Sequence, residues 1–406
     1  MSQSHPSSAE SSLPSDSLHF ETLAIRDSWW QSQANEHSQA LMLTSSYTFQ
    51  NAQEAADIFG ERKQGYSYSR FLNPTVEMFE KRLATLEGAA RCTATATGMS
   101  AILSLAMYLL KAGDHIICAR NSFGSTLFLF NQIFNRFNIE TTLVELTDLN
   151  EWQSALRPNT KMLFLETPAN PLLSIADISA LADLAHRHGA KLVVDNCFAT
   201  PALQQPFKLG ADFVVHSATK YLDGQGRIMG GAVLSREAEE GEGLYRLLRS
   251  IGTTMGAFEA WICLKSLETL GLRMKAHSHN ALLLAEFLSK HPKVERVYYP
   301  GLNDHPQHQL AKAQMPNGFG GMVAFDVKGG LEAAWRVIDN AGFISISGNL
   351  GDARSIITHP YTTTHARVSP EDKAKVGISE GTIRLSVGLE DSLDLISALG
   401  HALNKA

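Results

Sequence analysis

Asp212-Phe-Val-Val-His-Ser-Ala-Thr-Lys220-Tyr-Leu-Asp-Gly-Gln-Gly226 carries an apolar strand into Ser217, Thr219 and a lysine, with a glycine-containing turn behind it. A second strand, Lys191-Leu-Val-Val-Asp195-Asn-Cys197, lies 25 residues upstream of Lys220 and brings a carboxylate to its own end. A lysine amine held in a packed site can form an imine with a carbonyl cofactor. A buried carboxylate can keep a pyridine nitrogen protonated, and two hydroxyls with helix-end amides can hold a phosphate. Those three demands together describe pyridoxal 5'-phosphate.

Working outward, short apolar runs alternate with helical patterns from Pro74 to about Leu270. His115-Ile-Ile-Cys118, Met162-Leu-Phe-Leu165, Leu192-Val-Val194, Phe213-Val-Val215 and Gly231-Ala-Val-Leu234 are apolar almost throughout, as parallel strands covered on both faces should be. Helical faces such as Val76 to Leu86, closing at Gly88, and Ile178 to His188 stand between them. This rhythm predicts a doubly wound α/β sheet. One helical stretch from about Phe258 to Leu288 leads to a last part, where Met322–Val327 and Thr382–Val387 alternate with helices in a smaller α+β domain. The chain thus divides into a disordered tail at 1–18, an N-terminal arm at 19–73, a cofactor-binding domain at 74–270 and a C-terminal domain at 271–406. No internal repeat is visible.

The 406 residues, 44% hydrophobic and 19% charged, suit a globular chain of more than one core. A net charge of −6 without a basic block argues against nucleic acid and membrane surfaces as partners. Cys92, Cys118, Cys197 and Cys263 stand far apart, which predicts neither a disulfide framework nor a zinc site and fits a reducing cytoplasm. No metal is expected. The Ser- and Pro-rich start has neither the basic nor the apolar region of a signal peptide.

Each candidate residue has a structural alternative beside its chemical one. Gly98 and Met99, in Thr97-Gly-Met-Ser100, precede the apolar stretch Ala101 to Leu110. Gly98 there serves either helix packing or close approach to an anion, and Ser217 and Thr219 could serve the same phosphate. Asp195 could cap the following helix, yet ligands in open parallel sheets bind at the carboxyl ends of strands. Lys220 could be a plain exposed lysine, but its context favours a desolvated amine of lowered pKa, suited to imine formation and proton transfer. Arg384, inside an apolar strand, calls for an anion, which is either an internal Asp or Glu or a substrate carboxylate. Tyr66-Ser-Tyr68-Ser-Arg70-Phe-Leu-Asn73-Pro74 reads as a capping loop, though capping alone does not use both Tyr68 and Arg70. A nicotinamide oxidoreductase is disfavoured because no GxGxxG follows an early strand. A cofactor-binding scaffold without catalysis is disfavoured by the intact Lys220, Asp195 and Arg384.

At these residues the chain resembles the cystathionine γ-synthase-like family of PLP-dependent enzymes, from Glu21-Thr-Leu-Ala-Ile-Arg26 to Leu385-Ser-Val-Gly-Leu-Glu-Asp391. Lys220–Arg227 and Ile357-Thr-His-Pro-Tyr-Thr-Thr-Thr-His365 are most similar to the branch that sulfhydrylates acylated homoserine directly. The resemblance implies PLP-dependent transferase fold type I, with a mostly parallel seven-stranded sheet. It implies Lys220 as the Schiff-base lysine, Asp195 as partner of the pyridine nitrogen, and Gly98, Met99, Ser217 and Thr219 as the phosphate cradle. It implies Asn170 near the cofactor's phenolic oxygen, Arg384 on the substrate α-carboxylate, and Asn349 and Leu350 beside the substrate. Tyr68 and Arg70 would reach the phosphate of a neighbouring subunit, in a homotetramer built as a dimer of dimers with shared active sites.

Two departures from the family pattern bear on the reaction. Phe123 stands where many relatives have tyrosine; it can stack on the cofactor ring but cannot donate a phenolic proton. Gly348, in Gly348-Asn-Leu-Gly351, stands where relatives handling cystathionine commonly have glutamate. Both favour a small nucleophile such as hydrogen sulfide over cysteine, and γ-replacement over C–S lysis. The acyl group (succinyl, acetyl or phosphoryl) stays open, with Arg227 and Arg120 as candidate partners of a succinyl carboxylate.

Overall fold

The computed structural model describes residues 18–28 and 30–406, so all but the last residue of the expected tail lies outside the described residues. Helix Pro74–Glu87 shows how local sequence fixes an element: the Asn73 side chain accepts from the Thr75 and Val76 amides, Pro74 fills the first turn, and Gly88 closes it at φ 76°. It buries Met78, Phe79, Leu83 and Leu86.

Seven strands follow: β1 (Arg91–Thr95), β2 (His115–Ala119), β3 (Glu140–Val144), β4 (Thr160–Glu166), β5 (Lys191–Asp195), β6 (Phe213–Ser217) and β7 (Gly231–Ser235). Their order is β1-β7-β6-β5-β4-β2-β3. The pairs joining β6, β5, β4, β2 and β3 are parallel, while β7 runs antiparallel to both β6 and β1. Alternate residues of each central strand enter different cores. Leu163, Leu165, Leu192, Val194 and Val214 pack on one face, and Met162, Phe164, Val193, Phe213 and Val215 on the other. Helices therefore cover both faces, and the apolar runs are explained by that double burial.

The second sheet has five strands: β8 (Val294–Tyr298), β9 (Met322–Val327), β10 (Ser345–Ile346), β11 (Ile356–Thr358) and β12 (Thr382–Ser386), in the order β10-β11-β12-β9-β8. It is antiparallel except for the β10–β11 pair. Between the sheets, the helical stretch expected as one piece is two helices, Ala257–Leu267 and Leu270–Lys290. The break has a cause. The Ser266 carbonyl accepts from the Thr269 amide and from buried Arg273, whose guanidinium also ties down the Tyr221 and Leu222 carbonyls.

Residues 19–73, expected as an arm, hold two helices among the described residues. Helix Phe20–Arg26 puts Ala24 into the large core beside helix Pro74–Glu87. Helix Ala52–Phe59 buries no residue, and Leu43 and Phe59 stand 71% and 62% exposed. No helix among the described residues is long and apolar enough to cross a membrane.

Candidate active site

Neighbouring strands β4, β5 and β6 end side by side, and their last residues are Glu166, Asp195 and Ser217. The carboxyl edge of a parallel sheet is where side chains can converge without competing for ladder hydrogen bonds. A cavity of about 270 Å³ opens there. Its wall includes Gly98, Met99, Phe123, Asn170, Asp195, Ser217, Thr219, Lys220, Leu350 and Arg384. Nearly every residue singled out in the sequence meets in this one space, together with Gly348.

The phosphate cradle differs from expectation in one respect. Thr97–Ser100 is not a loop before the helix but its cap and first turn, since helix Gly98–Leu109 starts at the glycine. Thr97 and Ser100 form a capping box that occupies each other's amides. That leaves the Gly98 and Met99 amides as the free donors of the first turn. A Cβ on Gly98 would lie 2.7 Å from Ser217 Cβ, so glycine lets the helix end close against the β6 terminus. Thr219 Oγ1 is held at the Gly230 backbone, accepting from its amide at 3.1 Å.

Lys220 donates its Nζ to Asn349 Oδ1 at 2.5 Å. Burial pushes its ammonium pKa down, partly opposed by the Cys197 thiol, and Arg384 adds to the lowering. The loop carrying Asn349 can reach the lysine because Gly351 has φ 78° and no side chain; a Cβ there would sit 2.8 Å from the Tyr221 amide. Asp195 Oδ1 accepts from the Cys197 amide at 3.0 Å. Burial raises its carboxyl pKa, while that amide and the nearby His216 and Lys220 act in the opposite sense.

Arg384, on β12, is 2% exposed, and none of its hydrogen-bond partners among the described residues is a carboxylate. Its donors go to Asn170 Oδ1 at 3.1 Å, Gly348 O at 3.0 Å and Asn349 O at 3.1 Å, and Nε has no partner. Of its two readings, the internal acid is therefore not the one found. Burial lowers its pKa to about 10, with Tyr221 and Glu166 nearby acting in the opposite sense.

Four residues lie elsewhere. Tyr68 and Arg70 are absent from the cavity wall; the Arg70 guanidinium stacks on Tyr68 and Phe71 and donates to the Arg249 carbonyl. Arg120 pairs with Glu145 and Glu151, and Arg227 with Asp223, so neither candidate for a succinyl carboxylate faces the cavity. Sequence reasoning missed Glu166, Cys197 and Thr364 on the wall. A signal existed for Glu166: it ends its strand as Asp195 ends the next.

The family model for Cys/Met metabolism PLP-dependent enzymes matches residues 21–404. The chain belongs to that family. A Pseudomonas aeruginosa O-succinylhomoserine sulfhydrylase is 53% identical over 95% of each chain. A Treponema denticola L-methionine γ-lyase is 42% identical over 89% of this chain and 91% of its own. A solved Campylobacter jejuni structure, described as an O-acetylhomoserine (thiol)-lyase, superposes at a TM-score of 0.91 with 34% identity, covering 95% of this chain and 100% of its own. It contains an N'-pyridoxyl-lysine-5'-monophosphate.

Family membership makes this a PLP-dependent enzyme of fold type I. The cavity suits that cofactor on its own terms: two free amides at a helix start, a desolvated lysine amine, a strand-end carboxylate, and a buried guanidinium with an unpartnered donor. No group of three or more metal-ligating side chains occurs among the described residues.

Proposed function

We propose that this PLP-dependent enzyme replaces the γ-acyloxy group of O-succinyl-L-homoserine with the sulfur of hydrogen sulfide, giving L-homocysteine and succinate. One observation carries the choice within the family: Phe123 and Gly348 both line the cavity. A thiolate leaving group would benefit from an acid where Phe123 stands. A second amino acid would need an anion for its ammonium where Gly348 stands. Succinate leaves as a stabilised anion and sulfide carries no ammonium, so neither lack hinders direct sulfhydrylation. The 53% identity to a sulfhydrylase, against 42% to a γ-lyase, supports the same choice.

When bound, pyridoxal 5'-phosphate supplies an aldehyde for amines and a ring that accepts electrons from the substrate. In this proposal Gly98 and Met99 amides and the Ser217 and Thr219 hydroxyls take the phosphate. Asp195 keeps the ring nitrogen protonated, Asn170 stands at the phenolic oxygen, and Phe123 covers the ring face. Arg384 receives the substrate α-carboxylate on its open Nε and on donors now spent on carbonyls, beside Asn349 and Leu350. Lys220, lowered in pKa by burial, takes the proton from the substrate α-carbon and returns protons as the product forms. Succinate departs from the γ-carbon and sulfide takes its place. Fixed positions for the carboxylate and the amine make these transfers nearly intramolecular.

We also assign the enzyme to the cytoplasm, which its four buried free cysteines support. We read it as a homotetramer, a dimer of dimers, in which residues 19–73 form an arm, 74–270 bind the cofactor and 271–406 complete the substrate side. Exposed Leu43, Phe59 and Tyr68 support an arm that lays Tyr68 and Arg70 on a neighbouring copy's phosphate.

Product identification tests the acyl assignment. With sulfide in excess, O-succinylhomoserine should give homocysteine with a higher kcat/KM than O-acetylhomoserine. Faster turnover of the acetyl ester, or release of a keto acid and ammonia without any nucleophile, would overturn it.

A further inference from the structure

Glu166 and Asp195 are register partners at the ends of β4 and β5. Partners in a ladder leave the sheet on the same face, with strands about 4.8 Å apart. Both residues line the cavity, and Glu166 is only 5% exposed. Two carboxylates this close in a desolvated site do not both ionise; one keeps a proton.

The surroundings decide which one. Asp195 accepts from the Cys197 amide at 3.0 Å and faces the positive influence of His216 and Lys220 from the β6 side. Glu166 accepts from the Phe123 amide at a longer 3.2 Å, and the Asn170 amide, Arg384 of β12 and Lys220 also favour its ionised form. Burial first, and then the Asp195 charge, push the Glu166 carboxyl well above the usual carboxylate range. We propose that Glu166 is a positioning residue that stays protonated and shares its proton with Asp195, leaving Asp195 as the ionised member opposite the ring nitrogen. A neutral acid there fixes the orientation of Asp195 and spreads its charge. An ionised Glu166 would instead add a second negative charge beside Asp195.

This inference rests on Asp195 facing the ring nitrogen, and not on the acyl group or nucleophile. Its first test is the infrared C=O stretch of an un-ionised carboxylic acid, read as wild type minus Glu166→Gln at neutral pH, with and without cofactor. The proposal expects the band in both states. Glu80, whose carboxyl burial raises to about 7, cancels because both proteins carry it. Absence of the band, or a band lost only in Asp195→Asn, assigns the proton elsewhere and overturns the proposal.

The second test is the nitrogen NMR shift of isotope-labelled cofactor. Glu166→Gln, a neutral donor of similar shape, should leave the shift at its protonated value. Glu166→Ala should weaken cofactor retention on the order of tenfold, as loss of one buried hydrogen bond does, and glutamine should restore it. A ring nitrogen that loses its proton in Glu166→Gln would mean that Glu166 acts as an anion, and the proposal fails. An unchanged shift in Asp195→Asn would sink the Asp195 assignment together with this proposal, while leaving the proposed substrates untouched.

Discussion

Lys220 and Arg384 both line the cavity and both donate to Asn349, with no carboxylate hydrogen-bonded to either among the described residues, and the site's chemistry follows from that imbalance. Lys220→Ala should abolish the visible absorbance of the lysine-bound cofactor and lower kcat on the order of 10³-fold or more, the scale of losing both nucleophile and proton carrier. Absorption spectra and single-turnover assays check both halves. Arg384→Leu should cut kcat/KM for acylated homoserine on the order of 10²-fold, the usual consequence of removing one partner of a buried charged hydrogen-bonded pair. Steady-state kinetics measure it, and unchanged kcat/KM would remove the α-carboxylate assignment. At this scale the sequence was legible wherever chemistry needs a rare residue in a rare setting, such as a lysine after Ser-x-Thr or an arginine within a strand. It was silent on Cys197 and Thr364, because a thiol and a hydroxyl beside a cavity look like those of any core.

Helix Pro74–Glu87 and β1 are joined by Glu80, whose Oε1 accepts from the Ala94 amide at 2.7 Å. Burial raises the Glu80 carboxyl from its ordinary 4.5 to about 7, with that amide and Arg91 opposing. The folded chain therefore binds a proton that the unfolded chain releases between those values, and this contribution to stability is lost as pH rises from about 4.5 through 7. The slope is at most about 1.4 kcal/mol per pH unit. Denaturant midpoints between these pH values should fall with rising pH in wild type, and should fall less in Glu80→Gln. Equal slopes would show that the group titrates normally. Strands buried on both faces and capped helices could be read from sequence because period and cap chemistry are local. Edge strand β3 (Glu140–Val144) carries a polar half and gave no such signal. The break between Ala257–Leu267 and Leu270–Lys290 depends on Arg273 meeting carbonyls of distant residues 221 and 222, which no local window contains.

In the proposed assembly, each cavity is completed by the arm of another copy. Mixing Arg70→Ala subunits with Lys220→Ala subunits should restore part of the lost activity, because a mixed dimer has one site carrying neither change. Mixtures as inactive as their parents would count against shared sites. Alternating helix and strand predicted a doubly wound sheet but not its strand order, and exposed Leu43, Phe59 and Tyr68 are what the described residues offer to the proposed contacts between copies. A cavity bounded by Phe123 and Gly348 should hand the γ-carbon to sulfide rather than to an amino acid thiol. Offering O-succinylhomoserine to the holoenzyme with equal sulfide and cysteine, and measuring the ratio of products by mass spectrometry, tests that choice in one vessel. Homocysteine should dominate; a mixture dominated by cystathionine would contradict the account.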